Sequence, residues 1–170
     1  MLDIAEPPLD AVIVNSLDKM RTYYSQDSGV LCASSNGVIP SEKISAPQAK
    51  QCAVCPQNSW GSRITPNGKR AKACTEYASL KLLTIDEPCY ALLRVPSTSL
   101  KSFREYGKSL TTRGYPVGSV VTHVNVRPTE NYHLFTFKVV RFLKTSELNA
   151  IQSLSAASQP VFEKTDGYIH

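Results

Sequence analysis

The chain has 170 residues, 42% of them apolar, which is enough to bury the core of a single domain. No uninterrupted apolar run approaches the ~20 residues that a membrane-crossing helix needs, so a helical membrane protein is excluded and a soluble globular chain is expected. The net charge of +5 is unevenly spread: Asp3, Glu6, Asp10, Asp18 and Asp27 face only Lys19 and Arg21 in residues 1–31, whereas Lys and Arg outnumber acids from residue 60 to residue 113.

The opening MLDIAEPPLDAVIV carries acids where a secretory signal needs a basic segment, which predicts a chain kept in a reducing cytoplasm. Within it Ala11-Val12-Ile13-Val14 reads as a short strand, followed by a polar stretch from Asp18 to Asp27 and little hydrophobic period from Ser41 to Gln51. Docking and a metal, more than local preference, are expected to order this part.

Residues 52–74, CAVCPQNSWGSRITPNGKRAKAC, are rich in Pro, Asn, Gly and Ser and poor in aliphatics. Such a segment buries too little apolar surface to order itself, so an external constraint is predicted. Pro66-Asn67-Gly68 predicts a turn between two ribbon-like arms, since Pro presets φ and Asn-Gly tolerates positive φ.

Beyond Cys74 the periodicity sharpens. Residues 78–85 and 89–95 read as two strands separated by Asp86-Glu87-Pro88, and Cys89 as a small buried residue on the inner side of the second. Leu100, Phe103, Tyr106 and Leu110 recur at helical spacing after a Ser cap, and Gly114 with Tyr115-Pro116 ends that helix. Residues 119–127 and 132–143 alternate as strands, with Val120, Thr122, Val124 and Val126 on one face and Val121, His123, Asn125 and Arg127 on the other. A last helix over 146–157 presents Leu148, Ile151 and Leu154.

This order predicts a mainly β (α+β) fold: an OB-fold-like five-stranded barrel with a zinc-ribbon insertion and a C-terminal helix. A mixed α+β sandwich with a zinc ribbon is the alternative. Residues 1–170 are expected to form one domain, with 32–74 a zinc-binding subdomain.

Four cysteines carry the chemistry. Cys32, Cys52, Cys55 and Cys74 are spaced C-x19-C-x2-C-x18-C, and a two-residue gap lets both thiolates of a tight turn face one tetrahedral ion while the outer pair closes the sphere. A disulfide framework is the competing reading, disfavoured by compartment. Zinc catalysis needs an open coordination position, which four Cys deny, and neither paired carboxylates, a P-loop nor a nucleophile elbow stands out, so no enzyme is predicted.

Cations and aromatics surround the cluster. Arg63, Lys69, Arg70 and Lys72 fall within ten residues free of acids. They are phosphate-binding candidates, although such a run is also what a solvated loop looks like. Trp60 and Tyr77 flank them, Tyr90 and Arg94 share a strand face, and Arg127, Tyr132 and Lys138 lie on the last two strands. Sequence-tolerant binding of single strands needs this pairing of cations with aromatic faces. For Trp60 two readings stay open, a stacking platform or a cover over the metal. His123 and His133 read as surface residues.

The string from Cys52 to Cys74, followed by RVPSTSLKSFREYGKSL and VVTHVNV, resembles a family of small zinc-containing OB-fold proteins of tailed phages and mobile elements. The similarity covers roughly residues 37–141, with Cys52, Cys55, Pro56, Asn58, Gly61, Ser62, Lys72 and Cys74 its most specific parts. It implies structural Zn²⁺ and binding of single-stranded DNA in replication, recombination or repair, alongside other proteins of those pathways. Many replicative proteins of this kind end in an acidic recruiting tail, whereas this chain ends FEKTDGYIH. A zinc-ribbon interaction protein that grips and inhibits a host protein is the alternative function.

Overall fold

One long strand organises the molecule. In the computed structural model, which describes residues 3–4, 6–130 and 132–157, the short strand β1 (Asp3–Ile4) is followed by β2 (Leu9–Ser25), whose two edges are shared among three partners. One edge pairs antiparallel with β6 (Cys74–Thr84); the other pairs with β8 (Val120–Pro128) at Leu9–Ala11 and with β3 (Gly29–Ser34) at Arg21–Ser25. The short first strand and the polar stretch expected from the sequence are thus one continuous strand. Its inward positions Ala11 and Ile13 are buried, and beyond them β2 leaves the core to carry the β3 hairpin.

β7 (Tyr90–Val95) lies beyond β6 and pairs in parallel with β1, and β9 (His133–Phe142) lies beyond β8, giving the order β1-β7-β6-β2-β8-β9 with β3 as a branch. A two-stranded ribbon, β4 (Arg63–Ile64) and β5 (Arg70–Ala71), stands apart. The fold is therefore mainly β, with a largely antiparallel sheet and a C-terminal helix. β7 and β9 do not pair, so the sheet does not close into a barrel.

Helix α1 (Leu100–Thr111) lies on the inner face, after a short 3-10 turn at Ser97–Ser99. Its Leu100, Phe103, Tyr106 and Leu110 join Leu80, Leu82, Leu93, Val95, Val120, Val124 and Phe137 in one core. The Tyr106 and Thr122 hydroxyls meet at 2.7 Å within it, and the Ser99 hydroxyl accepts from the Phe135 amide (2.9 Å), tying the start of the helix to β9. Helix α2 (Thr145–Ala157) follows β9, its first turn held by Glu147, whose carboxylate accepts from the Lys144 amide and from Arg141.

Two expectations need correction or placing. Cys89 is not a buried strand residue: it is exposed in the turn before β7, its amide donating to the Thr84 hydroxyl, which itself donates to the Glu87 carbonyl. The Leu154 side chain, His170 and the terminal FEKTDGYIH lie outside the described residues. Among the described residues no helix is long and apolar enough to cross a membrane.

Candidate metal centre and nucleic-acid groove

The four cysteines arrive from two sources. Cys32 on β3 and Cys74 at the start of β6 are both in register with Tyr23 of β2, one on each side of it. Their Cα atoms are accordingly about two strand spacings apart, ~10 Å, with the side chains on one face. Cys52 and Cys55 come from a knuckle of two 3-10 turns, Cys52–Val54 and Pro56–Asn58, in which the Cys55 amide donates to the Cys52 carbonyl (3.4 Å). The chain reaches the knuckle through a loop built on Ser34 and Asn36, whose side chains accept from the amides of Gly37, Val38 and Ile39, and the Cys52 amide then donates to the Val38 carbonyl (2.8 Å). Gly37 has φ +70°, and a Cβ there would lie 2.5 Å from the Lys19 carbonyl, so only glycine lets this loop approach β2.

All four cysteines line one cavity of about 20 Å³, together with Arg21, Tyr23 and Asn58. That is room for roughly one water-sized body. The thiols are unpaired, which leaves no disulfide framework, and among the described residues no three His, Cys, Asp or Glu side chains are drawn into a ready-made ligand cluster. Burial pushes the Cys74 thiol up to about 11, the Arg21 guanidinium pulls it back, and the neighbouring Cys55, Cys52 and Cys32 raise it further. Four Cys around a cavity of this size are the donor set of a structural Zn²⁺ site, although their side chains are not drawn up into one ligand sphere.

The motif residues of the resemblance have local tasks. The Asn58 amide group donates to the Cys52 carbonyl (2.8 Å), and its oxygen accepts from Lys72 Nζ (3.1 Å) and Arg21 Nη1 (2.8 Å). The Ser62 hydroxyl donates to the Gln57 carbonyl and accepts from the Ala73 amide, closing the base of the ribbon. Gly61 takes φ +89° against the Arg70 side chain. At the tip Gly68 supplies the positive φ, and the Thr65 hydroxyl accepts from the Lys69 amide.

Between this arm and α1 runs a groove of about 600 Å³. Trp60, 70% exposed, Arg63 and Lys72 line it from the arm, Lys101, Arg104 and Glu105 from α1, and Arg21 and Glu76 from the sheet, with Glu105 3.9 Å from Lys101. Trp60 does not line the cysteine cavity. Glu76 accepts from Arg21 (2.8 Å) and Arg104 (2.6 Å), so two of the five cations are held in place by one acid.

The remaining predicted contacts fall elsewhere. Arg70 packs on Gly61 and Lys69 sits at the ribbon turn. Arg94 stacks on the Tyr77 ring at 3.9 Å, and Lys81 lies over the Tyr90 ring at 4.5 Å, forming two cation–aromatic pairs on the outer face of β6 and β7. Arg127 and Lys138 are exposed on β8 and β9, Lys138 in register with His123, and Tyr132 is exposed in the turn between those strands. The structure thus gathers Trp60, Arg63 and Lys72 into one groove and leaves Tyr77, Tyr90 and Arg94, and Arg127, Tyr132 and Lys138, as separate groups. Sequence reasoning missed Lys101, Arg104 and Arg21. The first two stand at i and i+3 on the polar side of a helix, a spacing no different from that of an ordinary solvated face.

Comparison with protein-family models, curated proteins and solved structures gives no match to this chain. Function is therefore to be read from the site itself.

Proposed function

We propose that the protein is a non-enzymatic single-stranded DNA-binding module of phage or mobile-element replication, recombination or repair, with one structural Zn²⁺ held by Cys32, Cys52, Cys55 and Cys74. The observation that carries this reading is the groove. An exposed tryptophan faces a channel edged by Arg63, Lys72, Lys101 and Arg104, which suits bases stacking on one wall while phosphates meet the cations. The zinc would supply no reaction; it would tie the knuckle to β3 and β6 and so fix the arm's wall.

The strand order supports the finer assignment to an OB-fold. β2, β6, β7, β8 and β9 pair as the five strands of that fold do, α1 follows the third, and the one pairing missing is that between third and fifth. In this alignment the arm is the loop between strands one and two, and the turn with Tyr132 joins strands four and five. In OB-folds those loops and the face of strands two and three bind oligonucleotides.

Titrating an unstructured oligothymidylate while following Trp60 fluorescence tests the proposal. Quenching is expected, with log affinity falling against log salt by about 0.7 per phosphate neutralised. Trp60→Ala should weaken binding by ~1–3 kcal/mol with zinc retained.

Exposed Val38, Ile39, Val54 and Ile64 on the arm favour a second reading, a surface that grips a partner protein. It predicts no oligonucleotide binding and no salt slope.

A further inference from the structure

Asn58 and Arg21 stand where the cysteine cavity and the groove meet. Arg21 lines both. Asn58 uses both ends of its carboxamide: the nitrogen donates to the carbonyl of Cys52, and the oxygen accepts from Arg21 and Lys72. The other terminal nitrogen of Arg21 donates to Glu76, and the second oxygen of Glu76 accepts from Arg104 on α1. An unbroken run of hydrogen bonds, each between 2.6 and 3.1 Å, therefore leads from the backbone of the cysteine knuckle to a cation on the far wall of the groove. Arg21 Nε is buried without an acceptor among the described residues. The guanidinium is thus oriented by Asn58 and Glu76, and loss of Asn58 would leave a further, part-buried N–H without that acceptor.

We propose that Asn58 is a positioning residue that couples the cysteine centre to the groove, so that a metal ion in the one and single-stranded DNA in the other each tighten the binding of its counterpart. The inference rests on the function proposed above. Its physical basis is that the knuckle has almost no apolar packing to hold it. In residues 35–73 the buried side chains are those of Cys52 and Cys55, so the knuckle goes where its thiolates are drawn. Asn58 moves with it, and Lys72 and Arg21 follow. A strand that engages those cations resists the reverse displacement. Because the coupling is a free energy between two binding events, it acts equally in both directions.

The test is zinc affinity, measured by competition with a chromophoric chelator, with and without saturating oligothymidylate. It is carried out on the wild-type chain, on Asn58→Ala and on Asn58→Asp, which keeps the acceptor for Arg21 and Lys72 but loses the donor to Cys52. Oligonucleotide should tighten zinc about tenfold in the wild type. It should leave zinc affinity unchanged in both variants, although each still holds one zinc and still binds the oligonucleotide. Wild-type protein that binds the oligonucleotide with no change in zinc affinity overturns the coupling and leaves the proposed function standing. Absence of any oligonucleotide binding overturns that function and this inference with it. Variants that retain the tenfold effect overturn the role of Asn58. Should both fail to fold, hydrogen exchange of the Asn58 side-chain amide in the zinc-loaded wild type is followed with and without oligothymidylate: slower exchange with the oligonucleotide is expected, and unchanged exchange overturns the role of Asn58.

Discussion

Residues 35–73 and the sheet from which they spring are ordered by different forces. In the sheet, Val12, Leu80, Leu82, Val95, Val120 and Val124 are wholly buried. The arm, in contrast, buries only Cys52 and Cys55 and leaves Val54 73% and Trp60 70% exposed. Burial of apolar area accounts for the first region, at about 25 cal/mol per Å². The second has hydrogen bonds from Asn36, Asn58 and Ser62 and a cluster of thiols instead. One region is thus ordered by its own apolar core, and the other by hydrogen bonds with little apolar burial.

Four experiments can break or sharpen this contrast. The largest effect belongs to the core: Leu80→Ala should lower the unfolding free energy by ~2–5 kcal/mol, read by denaturant titration, with arm and sheet lost together. Next is Cys55→Ser, which should abolish zinc binding by elemental analysis and release the amides of the arm to fast exchange, while those of β6, β7 and β8 stay protected. A sheet that melts with the arm would erase the distinction.

Smaller effects separate the parts of the arm. Lys101→Glu, on a side chain almost fully exposed on α1, should weaken oligonucleotide binding several-fold and flatten the salt slope by about 0.7. Lys69→Glu at the ribbon tip should do less. If the order is reversed, the strand follows the tip and not the groove.

The smallest effect is on α2. Hydrogen bonds from Arg141 and then the Lys144 amide hold the Glu147 carboxyl down at about 2, so its anchoring of the helix is complete above the ordinary value of 4.5. It should be lost as pH falls through about 2. Amide exchange in the first turn of α2 should rise over that window while α1 is unaffected.

The same division governs what the sequence discloses. β6, β7, α1, β8 and β9 were legible because each presents one face to a core, and their apolar residues alternate or recur accordingly. β2 was legible only over Ala11–Val14. Beyond that point it leaves the core, both faces become polar, and register shifts between Ile13 and Asn15 and between Leu17 and Met20 break the period of two. The cysteines could be picked out as a group by their spacing, and the structure brings all four to one cavity. The groove could not, because its second wall comes from α1, and Lys101, Arg104 and Trp60 come to line one groove only in the folded chain.

The register at Tyr23 has a consequence for how the molecule can be rebuilt. Since Ser34 lies opposite Arg21 and Cys74 opposite Tyr23, the arm leaves and re-enters the sheet within two residues of one level, a span that a linker of about four residues would cross at ~3.3 Å each. The arm is in this sense a cassette. Replacing it with such a linker should yield a minimal sheet-and-helix scaffold, and other inserts closed at their base by a pair of thiols could be plugged into the same socket.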